Sequence, residues 1–279
     1  MNKKINISAI VVGYNESNCL SSCLKSINFC DEILYFDLGS SDNSIEIAEG
    51  HNAIIFQHGK VPSCEWIHSK FANNTKHEWV LITDPDEVVD PLLAEEITEL
   101  FEKGFPEKIG AVLVPWLFYF KHHRLKGTPW GGVNKRVLLA HNKRFSFTSQ
   151  IHVGRTIKED FEFMELDLKL SNCVHHYWMQ GYRKLLEKHL RYLKNEGAAR
   201  FSSGIRTTVS QIILQPFRQF KYSFITKGGL NDGYVGLLLS VFWAWYQTLA
   251  MLALYNYCRT NLNKPSLSNN LLKANNRRS

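Results

Sequence analysis

The stretch Trp79-Val80-Leu81-Ile82-Thr83-Asp84-Pro85-Asp86-Glu87 decides the fold that this sequence predicts. The apolar residues 79–82 are typical of a short buried strand. Pro85 has a fixed φ and no backbone N–H, so the strand ends there. Asp84 and Asp86 are two residues apart and point the same way on an extended backbone, where they suit a hard divalent cation that also holds phosphate oxygens. The alternative is an acidic turn in which an Asp caps the next helix.

Strands and helices alternate through the first hundred residues. Strands are predicted at 5–12, 32–36, 53–57 and 79–82, and helices at 20–27, 45–49 and 66–74. A further helix begins with Asp90 as N-cap and Pro91 as its first residue, and it ends at Gly104. This alternation predicts an α/β domain with a mainly parallel sheet.

Ligands of such sheets lie at the carboxyl ends of the strands, where three polar loops are expected to meet. These loops are Tyr14-Asn15-Glu16, the segment 37–44 and the segment 84–87. None of them is a G-x-G-x-x-G loop or a Walker loop, so a Rossmann dinucleotide pocket and a P-loop are not predicted.

The following segment, 111–160, is rich in aromatic and basic residues. Ala111 begins a strand, and 136–140 and 144–147 are predicted to form a hairpin. This segment supplies the positive charge that the acidic loops lack, and a metal-bridged diphosphate would need both.

The composition indicates anionic partners and reduced thiols. The net charge is +7 and the pI is about 9.0, which favours a phosphorylated substrate, an anionic membrane surface or nucleic acid. The six cysteines include no C-x-x-C pair and no zinc spacing. The segment 1–4 leads directly into a strand without a signal-peptide region, so we expect a cytosolic chain.

Five motifs in chain order resemble family 2 glycosyltransferases of the GT-A fold, in particular the branch that adds sugars to lipopolysaccharide core or related surface glycans. The motifs that carry the resemblance are 10–16, 37–42, 79–87, Trp130 with 136–138, and 151–152. The resemblance is specific over about residues 5–160 and looser to about residue 255. It implies an inverting transfer from a nucleoside-diphosphate sugar, usually with Mg²⁺ or Mn²⁺.

The resemblance also implies roles for individual residues at the nucleotide. Tyr14, Asn15 and Glu16 would edge the nucleotide pocket. Asp42 would contact the base or the ribose. Asp84, the first acid of the D-x-D motif, would contact the ribose or the metal.

At the reacting groups, the resemblance implies that Asp86 is the principal metal ligand. Arg136 would face the diphosphate or the acceptor, and His152 would lie near the acceptor and bind the metal together with Asp84 and Asp86. Val153 stands where the family often has a Glu, so the base that accepts the proton of the attacking hydroxyl is unassigned. The candidates for this base are Asp160, Glu159 and Glu87. We predict a catalytic set of Asp86, His152 and Asp160. His175 and His176 could bind a metal, although capping and packing are favoured for them.

The last third of the sequence, 161–262, predicts a helical region that associates with membranes. Residues 182–200 form a basic helix, and 216–224 alternate aromatic and basic residues. The run 233–258 carries no charge and could span a bilayer, but its Trp and Tyr residues prefer the interface. A helix lying in the interface is favoured over a span or a buried helix. The segment 263–279 predicts a basic disordered tail on an anionic leaflet.

The sequence therefore predicts a GT-A catalytic domain over 1–160, with a nucleotide-sugar half to about 110 and an acceptor half after it. The predicted enzyme moves a sugar, most often from a UDP-sugar, to a glycan or a lipid-linked acceptor on the cytoplasmic side of the inner membrane. Two alternatives stay open. A nucleotidyltransferase would normally show a Gly-rich nucleotide loop, and a non-enzymatic protein that binds membranes or nucleic acid would not need Asp86. We expect no nucleic-acid partner.

Overall fold

The computed structural model describes residues 4–149, 155–167 and 172–262. The chain folds into two compact units. The sheet unit contains the residues up to Arg124 together with Val133–Trp178, and the helical unit contains Leu125–Gly132 and the residues from Met179 onward.

The elements of the sheet unit follow the predicted alternation through its first half. The strands are β1 (Ile5–Gly13), β2 (Cys30–Asp37), β3 (Ile54–Gln57), β4 (Trp79–Thr83), β5 (Glu87–Val89), β6 (Ile109–Phe120), β7 (His123–Arg124), β8 (Val133–His141), β9 (Phe145–Phe147), β10 (Arg155–Ile157), β11 (Glu162–Glu165) and β12 (Val174–Met179). The helices are α1 (Leu20–Ser26), α2 (Ser44–Gly50), α3 (Cys64–Phe71) and α4 (Pro91–Lys103).

Ten of the described strands form one mixed sheet, in the order β3-β2-β1-β4-β8-β6-β12-β5, with β7 and β11 paired to β6. The pairs β1/β2, β2/β3 and β1/β4 are parallel, whereas β8 is antiparallel to both β4 and β6. The α/β class predicted from the sequence is confirmed. The parallel part is formed by strands that alternate with helices, which cover its faces.

The core lies on both faces of β1, which is buried along nearly its whole length. Its side chains alternate between two apolar clusters, with Ile7, Ala9 and Val11 in one and Ile10 and Val12 in the other. A strand buried on both faces reads as an almost continuous apolar run, which is why the sequence indicates it clearly.

The predicted hairpin between 136–140 and 144–147 is wrong. Both edges of β8 are occupied, by β4 and β6, and β9 pairs with β10 instead. The predicted end of the α/β part at residue 160 also differs from the structure, because β11 and β12 extend the sheet beyond it. The helical region therefore begins near Tyr182 rather than at 161.

Helix α4 shows the predicted caps. The Asp90 carboxylate accepts a hydrogen bond from the backbone N–H of Leu92 at 2.9 Å, and Pro91 is the first helical residue. Gly104 follows the last turn with a φ of 80°, a conformation that a residue without a Cβ adopts at little cost. These caps fix the start of α4 directly behind the acidic loop.

The helical unit consists of α5 (Tyr182–Ser202), α6 (Val209–Lys221) and α7 (Gly233–Leu262), with a single π-helical turn after α6. Helix α7 packs against both α5 and α6. The buried Asp232 carboxylate accepts hydrogen bonds from the backbone N–H groups of Lys126 and Gly127 at 2.7 and 2.8 Å. This carboxylate holds the segment Leu125–Gly132 within the helical unit.

In the part of the chain that the structure describes, one helical segment, Gly229–Thr260, is long and apolar enough to cross a bilayer. That judgement rests on length and composition alone. One third of its most apolar window is buried inside the protein.

Candidate active site

Three loops meet at the carboxyl edge of β1, β2 and β4. Gly13 lies beside Asp37 in the pairing of β1 with β2, and Val11 lies beside Thr83 in the pairing of β1 with β4. The loops after these strands therefore begin at the same edge of the sheet. The structure brings together six of the predicted site residues there, namely Tyr14, Asn15, Glu16, Asp42, Asp84 and Asp86.

The first two loops are tied to each other by hydrogen bonds. Asn15 adopts a φ of 56°, its N–H donates to the Ser40 hydroxyl at 2.9 Å, and its side-chain oxygen accepts from the Ser41 N–H at 2.8 Å. The Glu16 N–H donates to the Ser44 hydroxyl at 3.0 Å. These bonds use backbone N–H groups that a flexible loop would leave to water, so the shape of these two loops is already fixed.

Asp42 holds these loops in place. One of its oxygens accepts a hydrogen bond from the Ser17 N–H at 3.0 Å, and the other accepts from Ser44. Burial would raise the pKa of Asp42, but the hydrogen bonds from Ser44 and Ser17 outweigh burial and lower the pKa to about 2. Asp42 is therefore ionised at neutral pH, and its oxygens already accept hydrogen bonds from within the loops.

Asp37 offers an acceptor that the sequence analysis did not single out. One of its oxygens accepts hydrogen bonds from the N–H groups of Gly39 and Ser40, each at 3.0 Å. The other oxygen is buried and has no hydrogen-bond partner among the described residues. Tyr14, whose side chain is 46% exposed, belongs to the same edge.

Glu87 is the buried anchor of the acidic loop. One of its oxygens accepts hydrogen bonds from the Thr83 hydroxyl at 3.1 Å and from the Asp84 N–H at 3.0 Å. The other accepts from the Trp116 indole N–H at 2.9 Å. Because donors already occupy both oxygens, Glu87 shapes the loop and is a poor acceptor for a substrate proton.

Asp84 and Asp86 are half-buried and lie in one acidic cluster with Glu87. The pKa of Asp84 is raised to about 7, first by burial and then by the charges of Glu87 and Asp86. A cluster of carboxylates that repel one another in this way is stabilised by a bound cation.

His176 joins this cluster from β12. It lies opposite Glu87 in the pairing of β12 with β5. Its Nε2 is 3.3 Å from a carboxylate oxygen of Asp86, and its Nδ1 is 3.5 Å from one of Glu87. Burial would lower the pKa of His176, but the carboxylates of Asp86 and Glu87 outweigh burial and raise it. The sequence analysis favoured capping and packing for His176 and did not predict that it would lie beside these carboxylates.

Arg136 lies near the same edge. Leu139 pairs with Leu81 of β4, and β8 is antiparallel to β4. Arg136 precedes Leu139 by three residues and therefore lies toward the carboxyl end of β4. Its guanidinium is 4.8 Å from the centre of the Phe118 ring, which in turn is 5.0 Å from the ring of His176. Arg136 is exposed, so its charge is available to an anionic ligand.

Arg155 is a second cation near the acidic loop, and the sequence analysis missed it. Its charge lowers the pKa of Asp84, and its guanidinium donates a hydrogen bond to Nδ1 of the buried His68 at 2.9 Å. The pKa of His68 is lowered to about 3, first by burial and then by Arg155. A neutral His68 is thus the acceptor that orients the Arg155 side chain.

The structure does not bring Asp160 to this edge. Asp160 precedes β11, whose first residue pairs with Ile109 at the start of β6. That position is level with the amino end of β4, since Ala111 pairs with Ala140 and Ala140 with Val80. Asp160 therefore lies at the end of the sheet away from Asp86. His152, the remaining predicted catalytic residue and metal ligand, lies outside the described residues.

The donor set at the edge fits a hard divalent cation. Within the described ranges, no three His, Cys, Asp or Glu side chains converge closely enough to hold a metal ion by themselves. Asp84 and Asp86 nevertheless supply carboxylate oxygens, which Mg²⁺ and Mn²⁺ prefer, and Mg²⁺ sites commonly draw further ligands from water and substrate phosphates. The repulsion that raises the pKa of Asp84 is the repulsion that such a cation would relieve.

With this geometry established, comparisons with known proteins define the class. The family model described as glycosyl transferase family 2 matches residues 8–180, which is more than half of the chain. The protein is a glycosyltransferase. It belongs to glycosyl transferase family 2, and this membership decides against the two alternatives that the sequence left open.

The chain is also similar to individual relatives and to solved structures. Uncharacterized glycosyltransferases of Rickettsia bellii and Rickettsia conorii are 24% and 23% identical to this chain, over 88% and 90% of it and 84% and 91% of their own lengths. Glucosyl-3-phosphoglycerate synthase from Mycobacterium tuberculosis, solved with Mg²⁺ and uridine diphosphate, is 21% identical over 40% of this chain and 43% of its own, with a TM-score of 0.33.

Proposed function

We propose that this glycosyltransferase performs an inverting transfer from a nucleoside-diphosphate sugar at the carboxyl edge of its parallel strands. The donor that we propose is a UDP-sugar. The observation that carries the proposal is the acidic cluster of Asp84 and Asp86, supported by Glu87 and His176, in a chain of family 2. Paired carboxylates beside a rigid polar loop suit a metal-bound diphosphate on one side and a nucleoside on the other.

Asp84 and Asp86 would hold a Mg²⁺ or Mn²⁺ ion, which stabilises negative charge on the leaving diphosphate when it is bound. His176 orients the Asp86 carboxylate through the 3.3 Å contact. Glu87 fixes the backbone at Asp84 through the 3.0 Å hydrogen bond. The protein groups thus set the position of the carboxylates before the donor arrives.

The nucleoside would lie against the loops 14–17 and 37–44. Asp37 fixes the second of these loops, because its carboxylate accepts hydrogen bonds from the N–H groups of Gly39 and Ser40. Asn15 and Asp42 hold the loops in shape. Tyr14 offers an exposed ring against which a planar base can pack.

Arg136 and Arg155 would face the phosphates or an anionic acceptor. Neutral His68 holds the Arg155 guanidinium through a 2.9 Å hydrogen bond. A cation fixed in this way stabilises charge that develops on a leaving group at little reorganisation cost.

The attacking hydroxyl must lose a proton to a group within hydrogen-bond reach. Glu87 already accepts three hydrogen bonds, and Asp160 lies at the other end of the sheet. Glu159 is next to Asp160 and precedes the same strand. We therefore propose His152 for this role, because the resemblance implies that it lies near the metal and the acceptor.

The acceptor we propose is a glycan or a lipid-linked glycan of bacterial surface polysaccharide, of the lipopolysaccharide core type. The resemblance of the sequence motifs supports this substrate class. The apolar helical segment 229–260 supports a membrane-associated enzyme, on the cytoplasmic side of the inner membrane, where nucleotide sugars are supplied.

The donor is tested by thermal unfolding with UDP-, GDP-, CMP- and dTDP-sugars, with and without Mn²⁺. A ligand that binds only the folded state raises the midpoint of unfolding. We expect UDP-sugars to stabilise the protein in the presence of Mn²⁺. Arg155→Gln should weaken this shift, whereas Lys158→Gln, an exposed cation three residues away, should not. No shift with any of the four nucleotides would contradict the proposed function.

A further inference from the structure

We propose that the helical unit binds the surface of an anionic phospholipid bilayer through one apolar face. This docking face is formed by Ile213, Leu214 and Phe217 of α6 with Val241 and Trp245 of α7. The inference deepens the proposed function and rests on it, because a membrane-bound acceptor would require the enzyme to reach the bilayer. It names the surface that makes the contact and the lipid chemistry that the surface fits.

Helix α6 exposes large apolar side chains that its packing does not use. Ile213, Leu214 and Phe217 are 65%, 56% and 75% exposed. Ile213 and Leu214 lie four and three residues before Phe217, and both spacings place a side chain beside that of Phe217 on the helix surface. A cluster of this kind on a soluble surface indicates a site of interaction.

Helix α7 exposes a continuous apolar stripe. Tyr234, Leu237, Val241, Trp245 and Leu252 are between 37% and 72% exposed. They follow one another at intervals of three, four, four and seven residues, which places them on a single side of an α-helix. The opposite side, including Leu239, Ala250 and Leu254, is buried.

A groove of about 600 Å³ joins the two exposed surfaces. Its walls include Pro216, Phe217 and Phe220 of α6 and Val241, Trp245 and Leu249 of α7. An almost entirely apolar groove open to one side is suited to hydrocarbon. Trp245 is additionally suited to the boundary between hydrocarbon and headgroups, because its indole combines an apolar ring with a polar N–H.

The charges around the docking face favour anionic headgroups. Arg218, Lys221 and Lys227 are exposed on or just after α6. Between residues 197 and 262 the sequence has six basic residues and a single acid, Asp232, which is buried. Cations that border an apolar face can reach the headgroups while their aliphatic stems lie along the hydrocarbon.

The same charges argue against a second copy of the chain as the occupant. In a two-fold symmetric contact each surface meets itself, so the cations of one copy would face those of the other. No exposed carboxylate within 197–262 could pair with them. A bilayer with negative headgroups satisfies these cations, whereas a dimer through this face would not.

The packing of α5 favours an α7 that lies along the bilayer surface over one that crosses it. The Tyr246 hydroxyl donates to a carboxylate oxygen of Glu196 at 2.7 Å, and Arg200 donates to the side-chain oxygen of Gln247 at 2.9 Å. Glu196 and Arg200 also form an ion pair at 2.6 Å. A transmembrane α7 would carry this ion pair of α5 to the middle of the hydrocarbon, where charged groups are costly.

The test is flotation of the full chain with vesicles of phosphatidylcholine, with or without phosphatidylglycerol. We expect strong binding only with phosphatidylglycerol. Phe217→Glu and Trp245→Glu should each weaken binding at least ten-fold. Leu92→Glu, at a residue of α4 that is 51% exposed, is the matched control and should bind as the wild type does.

Neutralising the cations separates the charge contribution from the apolar one. Arg218→Gln combined with Lys221→Gln should weaken binding to the anionic vesicles about ten-fold or more, because each cation near such a surface contributes about five-fold. Alkaline carbonate should release the wild-type protein from vesicles, as expected for a protein that lies on the surface.

Three results would overturn the inference. The first is that Phe217→Glu and Trp245→Glu bind vesicles as strongly as the wild type does. The second is that alkaline carbonate fails to release the wild type from vesicles. The third is that the wild type is a dimer in light scattering and Phe217→Glu is a monomer. Binding of UDP with Mn²⁺, measured on the same samples, separates this inference from the proposed function. Phe217→Glu should retain UDP binding. If the wild type fails to bind UDP but shows the predicted vesicle pattern, the proposed function fails and the docking face stands.

Discussion

Glu87 is acidic like its neighbours, yet its environment gives it a different task. Its carboxylate is buried and accepts hydrogen bonds from Thr83, Asp84 and Trp116. Asp84 and Asp86 remain half-buried, so a ligand can reach their carboxylate oxygens. The role of each carboxylate follows from how many of its lone pairs the protein already uses.

The hydrogen bond between Trp116 and Glu87 should be measurable as a coupling energy. A double-mutant cycle with Trp116→Phe and Glu87→Met removes the donor and the acceptor in turn, and it cancels the relief of charge repulsion that Glu87→Met alone would bring. We expect a coupling of about 1–3 kcal/mol in urea unfolding, since the acceptor is charged and buried. Additive effects within about 0.3 kcal/mol would show that this bond does not hold the loop.

His68 should make the stability depend on pH. Its pKa falls from 6.5 in the unfolded chain to about 3 in the folded protein, because of burial and Arg155. The unfolded chain therefore takes up a proton between these values, and the contribution to stability is full above pH 6.5 and declines as the pH falls. The free energy of unfolding should lose about 1 kcal/mol from this group between pH 7 and pH 5.5.

His68→Gln removes the titrating ring but keeps an oxygen that can accept from Arg155. Urea unfolding at pH 7 and pH 5.5 should therefore show a smaller loss of stability on acidification for His68→Gln than for the wild type. An identical loss in both proteins would show that the buried ring is not the titrating group.

At the scale of elements, close helix packing sets the constraint in the helical unit. Helix α5 approaches α7 so closely at Gly197 that a Cβ there would lie 2.7 Å from the carbonyl oxygen of Ala253. Because the obstacle is backbone, a side chain at this position must push the helices apart. Gly197 thereby fixes the packing of α5 on α7 that holds the Glu196–Arg200 pair in place.

Gly197→Ala should therefore destabilise the protein by about 1–3 kcal/mol, as overpacking does. The matched control is Gly50→Ala at the end of α2, where a Cβ would meet nothing within 4 Å. This change should be neutral or stabilise by a few tenths of a kcal/mol, because Ala is the better helix former. Both variants are compared with the wild type by thermal unfolding. Equal unfolding midpoints of Gly197→Ala and Gly50→Ala would contradict the close approach of α5 and α7.

The sequence was informative wherever structure depends on neighbouring residues. The apolar run of β1 and the caps Asp90 and Gly104 are local signals, and the structure confirms them. The partners of β8 and β12 are not local. His176 reaches the site because β12 pairs with β5, about 90 residues earlier in the chain, and no pattern near His176 encodes that pairing. Arg155 was missed for the same reason, since His68 lies 87 residues away from it.

At the scale of the whole molecule, the proposed active site lies at one end of the sheet. Asp160 lies at the other end, so Asp160→Asn should leave turnover within about two-fold of the wild type. Asn tolerates the left-handed conformation that Asp160 adopts, with a φ of 74°. A loss of more than ten-fold in kcat, with unchanged thermal stability, would return Asp160 to the catalytic set.

The most direct test of the glycosyl-transfer site is the hydrolysis of a UDP-sugar, in which water takes the place of the acceptor and UDP is released, by the wild type and by Asp86→Asn, titrated with Mn²⁺. Asn keeps the shape of the side chain but removes the charge that a divalent ion needs. We predict that the wild type depends on Mn²⁺ and that Asp86→Asn loses at least a hundred-fold in kcat/KM while it unfolds at or above the wild-type temperature. Equal turnover by the two proteins, or wild-type turnover that is unchanged by removal of the metal, would contradict the assignment of this site.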